Sequence, residues 1–139
     1  MTQKIRDIMT ESLVTVGQET TVHDTAIRMR DENIGNVLVM DDGRLRGLVT
    51  DRDLVVRALA EGKDPDRCTV GEVCSGDLVT VGPDEDVGRA VELMRDHALR
   101  RLPVMAEDRP VGIVSLGDLA IERDEDSALA DISVAKPHT

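Results

Sequence analysis

The feature that most constrains the fold of this chain is an internal repeat with an offset of 65 residues. The strings LVTVG and MRD each occur twice at this spacing, first at residues 13 and 29. The two copies align without insertion or deletion from residue 5 to residue 54. A repeat of this length predicts two similar structural units within the 139 residues.

Each copy begins with the pattern of a strand followed by an amphipathic helix. The brief strands are predicted at 13–16 and 78–81. The spacing of apolar residues predicts the buried face of each helix: Val22, Ala26 and Met29 in the first copy, and Val87, Val91, Met94 and Ala98 in the second. Thr21 and Asp86 stand at the N-cap positions of these helices.

Two closely spaced strands and a last helix complete each copy. The strand sequences NVLVM and LRGLVT flank turn residues at 41–43, and LPVM and PVGIVS flank a turn at 106–109. The last helix is predicted to begin after Thr50 in the first copy and after Ser115 in the second. Each copy therefore has the order β-α-β-β-α.

The repeat also sets the expected domain organisation. A unit of ~60 residues buries only about 60% of the surface that its unfolded chain exposes, so it is marginally stable alone. We therefore expect an α/β (α+β) fold in which two β-α-β-β-α units, residues 1–62 and 63–125, pack sheet to sheet with pseudo-twofold symmetry. Residues 126–139 are expected to form a flexible acidic and polar tail.

The composition argues against several classes of partner. A net charge of −11 opposes binding to nucleic acid and to anionic lipid surfaces. Charged residues interrupt the N-terminus before any signal-peptide core, and no apolar run approaches the ~20 residues of a membrane span. We expect a cytoplasmic protein that binds neither nucleic acid nor membrane.

The sequence contains no recognisable group of residues with the types and spacing of a catalytic site or a metal site. Cys68 and Cys74 form neither a disulfide framework nor a zinc motif, and we interpret them as small apolar residues. The histidines His23, His97 and His138 have no metal-ligand spacing. Since a P-loop and a nucleophile–base pair are also missing, we expect no enzyme activity, no catalytic residue and no metal.

One motif of the repeat, GLVTDRD in the first copy and GIVSLGD in the second, allows two interpretations. The spacing of Thr50 to Asp53, and of Ser115 to Asp118, fits a capping box in which hydroxyl and carboxylate bind the amides of a helix start. The same arrangement suits an adenine nucleotide, because helix starts attract phosphate and a carboxylate accepts hydrogen bonds from ribose hydroxyls. The spacing alone leaves both interpretations open.

Two further features describe the site that a nucleotide would need. Gly47 and Gly112 would let a ligand approach the strand backbone closely. The chain contains no Phe, Trp or Tyr, so a nucleobase would lie between aliphatic side chains instead of stacking on an aromatic ring.

The doubled unit resembles a pair of CBS domains, the tandem also called a Bateman module. Glycine, two hydrophobic residues, Ser or Thr, two free positions and Asp form that family's ribose-phosphate motif, and both GLVTDRD and GIVSLGD match it. The resemblance covers residues 4–122. The strings TDRD and RRLPV are also similar to those of small stand-alone bacterial pairs of the hypoxic response protein type.

The resemblance implies a role for each candidate residue. Asp53 and Asp118 would bind the ribose, while Thr50 and Ser115 would contact ribose or phosphate. The adenine slot would be lined by residues of the first strand and of the turn before it: Thr10, Thr15, Ser75 and Thr80.

A pair of arginines distinguishes the second copy from the first. Arg100 and Arg101 stand at the start of the second strand, where related nucleotide sensors bind phosphate. Their counterparts Gly35 and Asn36 carry no charge. The two arginines are either phosphate-binding residues, in which case the two clefts should differ in affinity, or a solvated pair near a strand edge. Arg52 has no counterpart; it either compensates in the first cleft or is an exposed helix residue.

The resemblance also implies a function. We expect a regulatory or sensor module that binds AMP, ADP, ATP or S-adenosylmethionine in the clefts between two CBS units and requires no cofactor. A homodimer is expected, because the family stacks two pairs through the helices at 22–33, 51–60, 87–98 and 116–122. The alternative is a structural homodimeric adaptor, or a stress-response protein, whose clefts are empty. The sequence names neither the regulated partner nor the inducing signal.

Overall fold

The computed structural model describes residues 3–74 and 78–123. This part of the chain is mixed α/β, with one three-stranded sheet, one two-stranded sheet and helices. It divides into two compact units. The first-repeat unit contains residues 14–74 and 78, and the second-repeat unit contains residues 3–13 and 79–123. The predicted α/β class is confirmed.

The first-repeat unit is built on a three-stranded sheet. Its elements are β1 (Thr15–Gly17), α1 (Val22–Glu32), β2 (Asn36–Asp41), β3 (Arg44–Thr50), α2 and α3 (Val70–Val73). Helix α2 begins with α-helical Asp51–Asp53 and continues as the π-helical turn Leu54–Leu59. Strand β1 is parallel to β2, and β2 is antiparallel to β3. Asp42 and Gly43 both have positive φ angles, which is the turn that a two-residue hairpin favours.

The second-repeat unit is built on a two-stranded sheet. Its elements are a 3₁₀ turn (Ile5–Asp7), α4 (Val87–His97), β4 (Arg101–Ala106), β5 (Arg109–Ser115) and α5 (Leu116–Arg123). Strands β4 and β5 are antiparallel and are joined through Glu107 and Asp108, both at positive φ. The hairpin therefore has the same turn as the first repeat, although neither turn residue is glycine.

The strand predicted at 78–81 is reduced to a single parallel bridge between Val81 and Val104. In the first repeat, the amide of Leu38 donates to Val14 O at 3.0 Å and helps to hold β1 on the sheet. The residue equivalent to Leu38 is Pro103, which has no N–H to donate. One proline therefore removes a hydrogen bond and shortens the pairing on this side of β4.

The buried face of α1 differs from the predicted face by one position, and that of α4 differs by more, since Ala90 and Leu93 are buried there and Val91 is only partly buried. Ala26 is exposed, and the buried residue is Thr25, whose hydroxyl donates to Thr21 O at 2.8 Å. Ala98 is not part of the buried face of α4, because it ends that helix with φ at 54°. A polar side chain is buried in α1 at no cost in lost hydrogen bonds, since the preceding turn satisfies it.

The two predicted N-caps behave differently. The Thr21 side chain accepts from Asp24 N at 3.1 Å, as predicted. Asp86 occupies the N-cap position of α4, but its carboxylate accepts from Lys4 Nζ at 3.0 Å and makes no cap hydrogen bond. The ion pair links the N-terminal segment to the start of α4.

Each repeat begins with a short leading segment, residues 5–9 in the first repeat and residues 70–74 in the second. Each leading segment packs in the compact unit that is built mainly from the other repeat. Ile5 is fully buried in the core of the second-repeat unit, and its amide donates to Glu85 O at 3.0 Å. Val70 is fully buried in the core of the first-repeat unit, and its amide donates to Thr20 O at 2.7 Å. The predicted boundary at residues 62 and 63 follows the repeat, whereas the compact units do not.

Each unit has its own aliphatic core. Buried Val, Leu, Met, Ala and Cys side chains fill the first-repeat core, and both Cys68 and Cys74 belong to it, as their apolar interpretation predicts. Within the described ranges, no helix has the length and apolar character needed to cross a bilayer. The predicted tail at 126–139 lies outside the described residues.

The exchange of leading segments predicts which unit each one stabilises. Replacing Ile5 with Ala should cost about 2–5 kcal/mol of unfolding free energy and should raise amide hydrogen exchange first in β4 and β5. The matched change Val70→Ala removes fewer carbons and should raise exchange in β2 and β3 instead. Denaturant unfolding gives the first quantity, and exchange mass spectrometry gives the second. Faster exchange in β2 and β3 after Ile5→Ala would contradict the assignment.

Candidate functional site

The strand arrangement gathers predicted site residues at one end of each sheet. In the first-repeat unit, Thr50 at the end of β3 pairs with Asn36 at the start of β2, and Thr15 begins the neighbouring β1. In the second-repeat unit, Ser115 at the end of β5 pairs with Arg101 at the start of β4. These ends are where each motif passes from a strand into a helix.

The hydroxyl and the acid of each motif form a reciprocal capping box. Thr50 N donates to Asp53 Oδ2 at 2.9 Å, and Asp53 N donates to Thr50 Oγ1 at 3.1 Å. Ser115 N donates to Asp118 Oδ2 at 2.8 Å, and Asp118 N donates to Ser115 Oγ at 3.1 Å. The capping interpretation is therefore confirmed in both copies.

The capping box does not use up either carboxylate. It engages Oδ2 of Asp53 and of Asp118, and the other oxygen of each acid takes no part in the box. Both side chains are only partly buried. Because an ionised carboxylate has about four acceptor positions, the box and a ribose can share the same acid. The two interpretations of the motif are thus compatible.

The glycine at the start of the second motif accommodates the protein's own chain. Gly112 lies opposite Val104, and a Cβ placed on it would lie 2.6 Å from Met9 Sδ and 3.0 Å from Thr10 O. Thr10 and Ile113 exchange backbone hydrogen bonds of 2.8 Å and 2.9 Å beside it. The close approach at Gly112 is therefore made by residues 9 and 10. Approach of a ligand at Gly112, or at the equivalent Gly47, stays a prediction.

The threonines predicted to line an adenine slot are divided between the units. Thr15 belongs to the first-repeat unit, whereas Thr10 lies against β5 in the second-repeat unit with Thr80. Ser75, the equivalent of Thr10 in the other copy, lies outside the described residues. Thr10 therefore supports the motif of the second copy, although it stands in the sequence of the first.

Arg100 and Arg101 lie at the start of β4, next to the second motif. The amide of Leu116, the first residue of α5, donates to Arg100 O at 2.8 Å. Arg100 is exposed and Arg101 is half-buried. Among the residues that the structure describes, neither guanidinium has an ion-pair partner.

Asp51 is a residue of the first motif that the sequence interpretation missed. Its amide donates to Gly35 O at 2.9 Å, and its Oδ1 accepts from Arg52 N at 2.8 Å. A Cβ placed on Gly35 would lie 3.2 Å from Asp51 Oδ2, so the carboxylate lies over the glycine. The equivalent residues are Arg100 and Leu116. Comparing the copies position by position would have revealed this exchange of charge.

Arg57 is a second residue that the interpretation missed. Its Nε lies 3.9 Å from Asp53 Oδ1, and its Nη1 donates to Val73 O at 3.3 Å. Arg57 therefore links the acid of the first motif to the end of α3. Its spacing of four residues from Asp53 on a predicted helix was the available signal.

The thiol next to this contact is held in its protonated form. Burial has the largest effect and raises the pKa of Cys74; Asp53 also raises this pKa, while Arg46 and Arg57 lower it. Thiolate chemistry near the first motif is therefore disfavoured, because the thiolate is the reactive species.

A metal site and a surface groove are the two alternatives to a site at the motifs. In the described ranges, no three His, Cys, Asp or Glu side chains are grouped so that they could hold a metal ion, and the expected lack of a metal stays a prediction. An open groove of about 520 Å³ beside the start of α4 includes Lys4, Asp86, Arg89 and Glu92. Its cations already pair with acids, Lys4 with Asp86 at 3.0 Å and Arg89 with Glu92 at 3.4 Å. We therefore place the candidate site at the motifs and not in this groove.

Known proteins share both the sequence and the fold. The CBS domain family model matches residues 5–59 and 70–125. The CBS domain-containing protein YhcV of Bacillus subtilis (strain 168) is 38% identical over 138 residues, which cover 96% of this chain and 98% of that protein.

Two solved structures have the same fold. The crystal structure of Hypoxic Response Protein I with two coordinated zinc ions is 37% identical, with a TM-score of 0.77 over 86% of this chain and 98% of that one. The CBS domain pair of protein MJ0100, in complex with 5′-methylthioadenosine and S-adenosyl-L-methionine, is 23% identical, with a TM-score of 0.80 over 91% of this chain and 100% of that one. At that identity, the second structure shows the fold alone. The chain belongs to the CBS domain family and carries one CBS domain in each repeat.

Proposed function

We propose that this protein is a regulatory module that senses an adenine nucleotide or a related adenosyl ligand at its two motifs. The observation that carries the proposal is the doubled capping box, which holds a carboxylate at the start of a helix and leaves one of its oxygens outside the box. The carboxylates of Asp53 and Asp118 then bind the two ribose hydroxyls, because hydrogen bonds to an ionised acceptor are strong.

The surroundings of the motifs suit the rest of an adenosyl ligand. Thr15 and Thr80 place hydroxyls at the sheet ends, and the neighbouring strand residues are aliphatic. An adenine ring can lie between such side chains while backbone groups read its edge. The protein MJ0100 binds two adenosyl compounds with the same fold, which supports this ligand class.

The charges near the second motif extend the ligand class to nucleotides. Arg100 and Arg101 have no ion-pair partner among the described residues and can bind a phosphate. AMP, ADP, ATP and S-adenosylmethionine are therefore the candidates. The protein needs no further cofactor, and ligand binding changes its association with a partner.

A second candidate function is a structural homodimeric adaptor with empty clefts. It is favoured by the apolar side chains that α2 exposes: Val55 is 55%, Val56 41% and Leu59 56% exposed. Such a surface is typical of a protein–protein contact. The homodimer belongs to both candidate functions, so ligand binding is what separates them.

Substituting the motif acids should separate ribose binding from helix capping. In Asp118→Asn, one oxygen remains for the cap, but the charge and the second acceptor are lost. Adenosyl affinity should fall by about 1.5–3 kcal/mol, or roughly ten- to a hundred-fold, while stability without ligand stays nearly constant. Calorimetric titration with AMP and S-adenosylmethionine and thermal unfolding measure the two quantities.

The matched variant Asp118→Ala removes the carboxylate half of the box as well as the charge, while Ser115 Oγ still accepts from the amide of residue 118. Its unfolding free energy should fall by about 0.5–1.5 kcal/mol, which calibrates the loss expected from that one hydrogen bond. The pair Asp53→Asn and Asp53→Ala tests the first motif in the same way. Unchanged binding in both Asn variants would remove the ribose assignment and would favour the structural adaptor.

The dimer proposal predicts an effect of charge on α2. The purified chain of 15.2 kDa should sediment as a dimer at tens of micromolar, and Val55→Asp together with Leu59→Asp should convert it to a monomer, because burying two carboxylates in an apolar contact is unfavourable. Leu78→Asp places one carboxylate on an exposed apolar residue outside α2 and is the control for added surface charge. A monomeric wild-type protein would contradict the proposal.

We also expect no catalysis. Purified protein should neither hydrolyse ATP nor transfer phosphate or methyl groups, since the motifs present acids that cap helices and no residue set that activates water. Chromatography of ATP and S-adenosylmethionine after prolonged incubation checks this expectation. Reproducible turnover that one motif substitution abolishes would contradict it.

A further inference from the structure

The two motifs share one backbone geometry but place their charges differently. At five equivalent positions, the first repeat has Gly35, Asn36, Asp51, Arg52 and Asp53, with a net formal charge of −1. The second repeat has Arg100, Arg101, Leu116, Gly117 and Asp118, with a net formal charge of +1. The next equivalent pair is Arg57 and Glu122, and including it makes both sets formally neutral. The motifs therefore differ in where an acid and the arginines stand and not in total charge.

The backbone contacts show that these positions are equivalent in space within each unit. Asp51 N donates to Gly35 O at 2.9 Å, and Leu116 N donates to Arg100 O at 2.8 Å. Each hydrogen bond joins the first helical residue to the residue before β2 or β4. A side chain at one position in the first repeat can therefore be compared directly with its counterpart in the second.

In the first repeat, the protein supplies its own anion at this place. The Asp51 carboxylate lies over Gly35 and accepts from Arg52 N at 2.8 Å. In the second repeat, Leu116 has no carboxylate to offer the following amide, and Arg100 adds a guanidinium where Gly35 has no side chain. In the first repeat, the Asp51 carboxylate occupies the place beside the Arg52 amide. In the second repeat, the equivalent residue Leu116 provides no carboxylate, so the same place can take the anion of a ligand.

We propose that the second motif binds the phosphate of a phosphorylated adenosine, whereas the first motif accepts only adenosyl compounds without phosphate. The proposal rests on the proposed adenosyl function and adds the ligand class of each motif. A phosphate at the first motif meets the Asp51 carboxylate, and like charges at short range repel strongly when partly shielded from water. A neutral thioether or a cationic sulfonium meets no such repulsion.

Two exposed positions allow a reciprocal test. Leu116→Asp introduces the internal anion into the second motif, and Asp51→Leu removes it from the first. Leu116 is 53% exposed and Asp51 is also exposed, so neither change disturbs a core. Calorimetric titration of the full chain uses AMP and 5′-methylthioadenosine, which share the adenine and the two ribose hydroxyls and differ at the 5′ position, where AMP has a phosphate and the other compound a neutral methylthio group.

The wild-type chain should bind one AMP, and Asp118→Asn but not Asp53→Asn should weaken it. Leu116→Asp should lower AMP affinity by about ten-fold or more and 5′-methylthioadenosine affinity much less, because only AMP carries charge to the new carboxylate. Asp51→Leu should add a second, weaker AMP site. The second site is weaker because Gly35 provides no guanidinium.

Three outcomes would overturn the inference. Two AMP sites of equal affinity in the wild-type chain would show that Asp51 does not exclude phosphate. Unchanged AMP affinity in Leu116→Asp would show that the second motif does not hold the phosphate. Absence of any binding of AMP and of 5′-methylthioadenosine would remove the proposed adenosyl function itself, and this inference with it.

Discussion

The structure depends on the burial of two apolar side chains that lead the repeats, Ile5 and Val70. Each is fully buried, and each lies in the core of the unit built by the other repeat. A repeat of about sixty residues without aromatic side chains has little apolar area to bury. The exchanged segment supplies part of that area and adds backbone hydrogen bonds to the start of the recipient's helix region.

The same exchange builds one of the candidate sites. The segment that begins at Ile5 continues to Thr10, which pairs with Ile113 two residues before the motif hydroxyl of Ser115. A side chain at Gly112 would displace Met9 and would press on Thr10 O. The stability of the second-repeat unit and the shape of its motif region thus rest on one segment. A change in that segment would affect both.

The capping box explains how one motif can serve architecture and recognition together. In each box the carboxylate accepts one hydrogen bond and the hydroxyl accepts the other, and a carboxylate held in this way is preorganised for a ligand. Helix capping of this kind is worth about 1 kcal/mol. The box can therefore persist for stability in a copy that binds no ligand. In the first copy, Asp51 and Arg57 also engage the helix start and the acid.

The features determined by the sequence alone are those encoded within a few residues or repeated along the chain. The hairpin turns, the pairing of Thr50 with Asp53, and the α/β class follow from turn chemistry, a spacing of three residues and periodicity. The family could also be named from the doubled motif. These features depend on local geometry, which neighbouring residues specify directly.

The tertiary structure decided which unit receives each leading segment, that Thr10 serves the second motif, and that Asp51 lies over Gly35. It also decided that a single bridge stands where a strand was predicted at 78–81. Pro103 has no N–H to donate, and the effect of that loss on pairing can be seen only once the neighbouring strand is known. Contacts between residues far apart in the chain depend on how whole elements pack. The repeat makes two such packings compatible with the local pattern, and the burial of Ile5 and Val70 in opposite cores, with the pairing of Thr10 and Ile113, distinguishes them.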